Sequence, residues 1–135
     1  MLAPDVENFL VQYLSPLAPP GQVSIYMPPN PPMPFFLVNR ISGGDDFVTD
    51  ESTVSIHCFN TTRSLAAQSA RRMHAMMKSL LASSPAVAMG DGSYANVDYV
   101  YVLETPAWQE YQDKTIWRYC GRYHVDLRLR AAQNP

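Results

Sequence analysis

This chain of 135 residues is short of charge: 16% of it is Asp, Glu, Lys or Arg, against about a quarter in an ordinary soluble domain. Neither half is basic enough for a duplex-binding protein of the usual kind. Cysteine is scarce as well. Cys58 and Cys120 have no CxxC partner and no His at metal-ligand spacing, which favours two free buried thiols over a zinc site. A disulfide between them would need adjacent strands in suitable register. No apolar run approaches the roughly 20 residues of a membrane span, and the N-terminus has no basic n-region followed by a long apolar stretch. A soluble protein, intracellular where it is made, is expected.

Chemical signatures are missing too. The sequence contains no GxSxG, Walker A or GxGxxG pattern, so the phosphate cradles and nucleophile elbows that need those glycines are unsupported. Gly43 with Gly44, and Gly90 with Gly92, fit turns. His57, His74 and His124 form no HxH, HxxxH or HExxH, and isolated histidines are more often packed or solvated than ligating. Asp98 and Asp126 sit in alternating runs that explain them as solvent-facing strand residues. No catalytic, cofactor-binding or metal residue is assigned.

What remains is a well-patterned globular chain. Apolar residues make up 47% of it, and a chain of this length can bury about two-thirds of its unfolded surface around one core. Residues 4–15 predict a short helix, with Asp5 and Glu7 in its first turn and Val6, Phe9, Leu10, Tyr13 and Leu14 at helical spacing. Val23, Ile25 and Met27 alternate as a half-buried strand. Nine of the twelve prolines fall between Pro4 and Pro34, and the cluster at 28–34 must be an edge or rigid connector because it cannot donate ladder hydrogen bonds.

Residues 35–41 and 52–59 predict two strands joined by a flexible hairpin end at 42–51, which carries Asp45, Asp46, Asp50 and Glu51. A long helix over 62–82 follows, with Leu65, Ser69, Met73, Met76, Met77, Leu80 and Leu81 on one stripe. Ser64, Gln68, Arg71, Arg72 and Lys78 lie opposite. The methionines are read as irregular core filling. Later strands are expected near 86–89, at 96–103 and at 116–129, with a loop over 104–115 anchored by Trp108 and Tyr111. The last strand places Trp117, Tyr119, Tyr123, Val125, Leu127 and Leu129 on one face and Arg118, Arg122, His124, Asp126 and Arg128 on the other. Its aromatics and cations therefore diverge, which disfavours a nucleic-acid stacking platform. The fold class is α+β: a single domain over 1–135 with a mainly antiparallel or mixed sheet, packed by one long and one short helix.

Residues 1–60 carry six acids against Arg40, a balance of -5, while 61–135 carry nine bases against six acids, +3. Such opposition favours head-to-tail attraction between identical subunits.

Taken in order, the N-terminal helix, PPMPFFLVNRISGGDD, STVSIHCF, TRSLAAQSARRMHAMMKSL, DYVYVLETPAW and YQDKTIWRYCGRYHVDLRL resemble small tail proteins of long-tailed, siphovirus-type bacteriophages. They are most similar to tail terminator proteins of phages infecting actinobacteria, across nearly the whole chain. The resemblance implies a virion structural protein and no enzyme: a homo-oligomeric ring, usually a hexamer, at the tail–neck junction, assembled in the host cytoplasm. Such a ring caps the tube of major tail protein, ends its polymerisation and meets the head-completion or connector protein. DNA passes through its lumen without specific binding, since each phosphate contact would retard passage. A neck or head-completion subunit is the alternative, and a small metal-dependent hydrolase a further one. Assembly contacts are expected where the core is not: Asp45, Asp46, Asp50 and Glu51 toward the lumen or tube, and Trp108, Tyr111, Arg118, Arg122 and Arg128 between subunits.

Overall fold

Both helices start where a side chain captures free amide groups. Asp5 Oδ1 accepts from the backbone N–H of Glu7 at 2.9 Å and of Asn8 at 3.3 Å, opening α1 (Val6–Leu14). Thr62 Oγ1 accepts from the N–H of Leu65 at 3.1 Å, opening α2 (Arg63–Ser83). Ser84 closes α2 in the left-handed conformation, φ 38°. The computed structural model describes residues 5–45, 49–90 and 92–130.

The helices pack on one six-stranded mixed sheet curled into a half-barrel. Its strands are β1 (Val23–Ser24), β2 (Phe35–Asp45), β3 (Thr49–Asn60), β4 (Val87–Ala88), β5 (Tyr94–Gln109) and β6 (Trp117–Arg130), in spatial order β1-β2-β3-β6-β5-β4. Only β1 pairs in parallel; the other neighbours are antiparallel. The central register is Cys58 opposite Tyr119, Ile56 opposite Gly121 and Val54 opposite Tyr123.

The helix-facing side holds the main core. Phe36, Val38, Val54, Ile56, Cys58, Tyr123, Val125 and Leu127 meet Met73, Met77 and Leu80 of α2 and Phe9, Leu10 and Leu14 of α1, all of them fully or almost fully buried. At about 25 cal/mol per Å² of apolar area, each large side chain buried here contributes roughly 1.5–3 kcal/mol before chain entropy is counted. Tyr13 locks the two helices by donating to the carbonyl of Met76 at 2.8 Å. The expected stripe on α2 is rotated: Leu65 and Leu81 are 42% and 40% exposed, while Ala66 and Ala70 are buried. Alanines let the helix axis approach the sheet, and residues 66, 70, 73, 77 and 80 keep helical period without the flanking leucines.

Three other expectations shift. The 23–27 strand shortens to Val23–Ser24, leaving Ile25 and Tyr26 exposed. Where a flexible turn is expected at 42–46, residues 42–45 are strand, because β2 runs to Asp45; β3 begins at Thr49. A register shift between Arg40 and Ser42 absorbs the odd residue. The loop over 104–115 is largely strand as well, since β5 continues to Gln109. Register breaks between Val97 and Tyr99, Val102 and Glu104, and Glu104 and Ala107 let β5 bend with the half-barrel. The last also accommodates Pro106, which has no ladder donor.

Candidate assembly surfaces

Strand alternation separates the chemically reactive side chains. Cys58 faces the helices and Cys120, opposite His57, faces outward, so the two thiols lie on opposite sides of the sheet although their strands are neighbours. Both are free and buried, and burial pushes both thiols up, Cys58 furthest. His57 is half-buried on the outer face, its Nε2 at 3.3 Å from Ser55 Oγ. Desolvation first, then Arg118 and Arg122, lower its pKa to about 4. His74 lies on the helix side, Nδ1 at 2.7 Å from the Tyr123 hydroxyl, and burial followed by Lys78 lowers its pKa. His124 is outward again, stacked on Tyr101 at 4.8 Å with Nε2 at 2.5 Å from Asp126 Oδ1. Among the described residues no three His, Cys, Asp or Glu side chains converge to hold a metal.

The arginine row forms the outer face as alternation requires, but each member has a partner within the chain. Arg118 donates from Nη2 to the carbonyl of Glu110 at 2.7 Å and lies 5.2 Å over the ring of Tyr111. Tyr111 in turn packs edge-on against Phe59 at 5.2 Å. This cluster, with the fully buried Phe35, forms a small second apolar layer at one end of the outer face. Arg122 faces Glu104 at 3.8 Å, and Arg128 donates to Asp98 at 2.9 Å. Aromatics do reach this face, contrary to the reading of the last strand alone. They come from β5, where Tyr99 and Tyr101 stand opposite Asp126 and His124. The signal was the alternation of DYVYV, which puts both tyrosines on one face.

Trp108 is separated from Tyr111 and the arginine row. It sits opposite Tyr119, 43% exposed, with Arg63 5.5 Å over its ring and Trp117 at 6.4 Å. From this end of the helix side a groove of about 750 Å³ runs along α2. Ala67, Ala70, Ala75, Pro106 and Tyr119 give it an apolar lining, and Arg71, His74 and Lys78 stand along it. Arg71 and Lys78 lie on the polar side of the expected helix stripe; the bend of β5 at Thr105 and Pro106 turns that side into one wall of a groove.

The longest unpartnered feature is the edge of β5. β4 pairs with it only at Tyr94 and Ala95, and among the described residues no strand pairs with the outer edge from 98 to 109. Along this stretch Tyr99, Tyr101, Val102, Leu103 and Trp108 are 38–49% exposed. The opposite edge is better covered. The N–H of Phe36 donates to the carbonyl of Gln22 at 2.8 Å, and that of Arg40 to Glu7 Oε2 at 3.0 Å.

The acidic hairpin end lies beside the far ends of β6 and β5. Register sets Asp45 opposite Asp50 and Glu51 opposite Gly44, with Thr49 opposite Arg128 on β6. Asp46 lies outside the described residues. The two expected groups of site residues thus occupy three places: the hairpin end, the outer face, and the helix-side end at Trp108. No protein-family model matches this chain, and no curated protein matches it.

Proposed function

We propose that this chain is a structural subunit of a closed ring that caps the tail tube of a long-tailed bacteriophage and joins it to the head connector. The observation that carries the assembly part is the β5 edge. Among the described residues, no strand pairs with the outer side of 98–109, twelve residues of strand that expose two tyrosines, a valine, a leucine and a tryptophan. A lone soluble domain normally blunts such an edge, because its free N–H and C=O groups recruit other chains. Strand addition at one edge is a heterologous contact, and such a contact forms a ring when its rotation closes. The charge balance of -5 against +3 between the two parts of the sequence favours the same polarity.

The phage assignment rests on the ordered likeness of the segments quoted above, and the tube and connector proteins follow from it as partners. The separated histidines and buried thiols support a structural role over a catalytic one. The test is direct: purified protein is measured by light scattering and negative-stain imaging, alone and with isolated tail tubes. Closed rings, and density at a single end of each tube, are expected. A protein that stays monomeric at micromolar concentration overturns the assembly reading, and rings that ignore tubes but bind portal-side partners overturn the terminator reading in favour of a neck subunit.

A further inference from the structure

The open edge of β5 and the groove along α2 adjoin. Thr105 and Pro106 line the groove and belong to the 98–109 stretch, whose outer side no described strand covers. On that stretch Val102 and Trp108 face the helix side, opposite Tyr123 and Tyr119. A strand laid along this edge therefore continues the sheet past β5, and alternation turns every second side chain toward α2, over the groove. In strand addition the main-chain bonds hold the segment, and such alternate side chains decide which segment is accepted.

The groove wall that meets those side chains carries one sign of charge. α2 holds Arg63, Arg71, Arg72 and Lys78 and no acid. Arg71 and Lys78 line the groove, and among the described residues no carboxylate pairs with either, whereas Arg118, Arg122 and Arg128 on the outer face each have a partner. Ala75 lies between the two cations and no acid lines the groove. Seven residues of helix set Arg71 and Lys78 about 10 Å apart at roughly 1.5 Å each. Same-face positions four apart in a strand are about 13 Å apart, a difference that the long Arg and Lys side chains span.

We infer that the β5 edge accepts an extended acidic segment of another protein chain, with two carboxylates facing Arg71 and Lys78 and an apolar side chain between them on the alanine floor. The inference rests on strand addition at this edge, as the proposed ring does, and adds which strand fits.

Short labelled peptides test it, by fluorescence anisotropy with the full-length chain and light scattering of the same samples. The first has a valine flanked at alternate positions by two glutamates, with threonine elsewhere. The second carries lysine in place of the glutamates. The third carries proline in place of the threonines, which removes ladder donors and keeps the charge. The glutamate peptide is expected to bind about tenfold or more tightly than either of the others, and in excess to lower the mass of any ring, since both compete for the edge. Arg71→Glu with Lys78→Glu, at exposed positions, should reverse the preference between the first two peptides and leave circular dichroism unchanged. Equal affinity of wild type for those two, or a preference that the double variant keeps, overturns the acidic partner and leaves strand addition standing. Equal binding of the proline peptide overturns the edge as the place of binding. Rings that Leu103→Lys dissolves but no peptide enters overturn the acidic partner and leave the ring. A monomeric chain that selects the glutamate peptide supports the inference and overturns the ring, and a monomeric chain that binds none of the three overturns both.

Discussion

Pro106 lies so close over Gly121 that a Cβ added at residue 121 would stand 2.9 Å from the proline ring and 2.9 Å from the Tyr123 hydroxyl. Here the bend of β5 closes onto β6, and the contact fixes one wall of the α2 groove. Glycine is required by space, because strand geometry alone would accept any residue. Gly121→Ala must push back either Pro106 or Tyr123, whose hydroxyl is held by His74 at 2.7 Å and Met73 at 3.5 Å. Overpacking of this kind costs about 1–3 kcal/mol. Urea titration should show a lower midpoint with an unchanged slope; an unchanged midpoint would mean that Pro106 is free to lift away.

How far the sequence discloses this structure depends on whether a feature is set by one segment or by several. Asp5, Thr62 and the apolar periods of α1, α2 and β6 are local, and their elements formed within one or two residues of expectation. β5 is not legible past Leu103, because Pro106 cannot donate to a ladder and the segment 104–115 has no strand-like alternation. Only the pairing with Arg122 and Cys120 shows that bulges carry the strand through. For the same reason the packing of Tyr111 on Phe59, 52 residues away, is not legible in the sequence. The stripe on α2 was misphased by Leu65 and Leu81 because hydropathy favours leucine over alanine. A close helix–sheet approach favours the reverse.

Tyr111 and Trp108, three residues apart and both expected between subunits, should therefore behave differently. Tyr111 bridges Phe59 and Arg118 within the fold, so Tyr111→Ala should destabilise the monomer by roughly 1–2 kcal/mol from lost aromatic and cation–π contacts. Trp108 is 43% exposed. Trp108→Ala should leave stability within about 1 kcal/mol of wild type, since its Arg63 contact is solvated, yet weaken self-association. Thermal denaturation paired with light scattering separates the two effects, and equal loss of stability in both variants would refute the distinction.

His57 gives the fold a pH dependence of definite sign. Its folded pKa, lowered to about 4 by desolvation and then by Arg118 and Arg122, lies below the ordinary value of 6.5. The unfolded chain therefore takes up a proton first as pH falls. The stability from keeping His57 neutral is complete above the unfolded value and is lost progressively from pH 6.5 down to about 4. Between pH 7 and pH 5, allowing for a ring that is not fully buried, the loss is roughly 1–2 kcal/mol. Unfolding free energies of wild type and His57→Gln over that interval check this, and the variant should show the shallower slope. Parallel slopes would assign the acid sensitivity to other groups.

The β5 edge offers the sharpest separation of folding from assembly. Leu103 falls in the register break between Val102 and Glu104 and is 45% exposed, so little core packing depends on it. A lysine there should alter monomer stability by no more than about 0.5 kcal/mol, as expected of a surface change away from caps and core. On the edge, however, a lysine opposes an incoming strand, whose arrival would strip water from the ammonium group. Leu103→Lys is therefore expected to give a monomer with wild-type circular dichroism and a wild-type urea midpoint. Glu104→Lys is the less clean choice, because Glu104 faces Arg122 at 3.8 Å and its reversal places two cations side by side. If Leu103→Lys still forms rings of wild-type mass, strand addition at this edge is not how subunits meet.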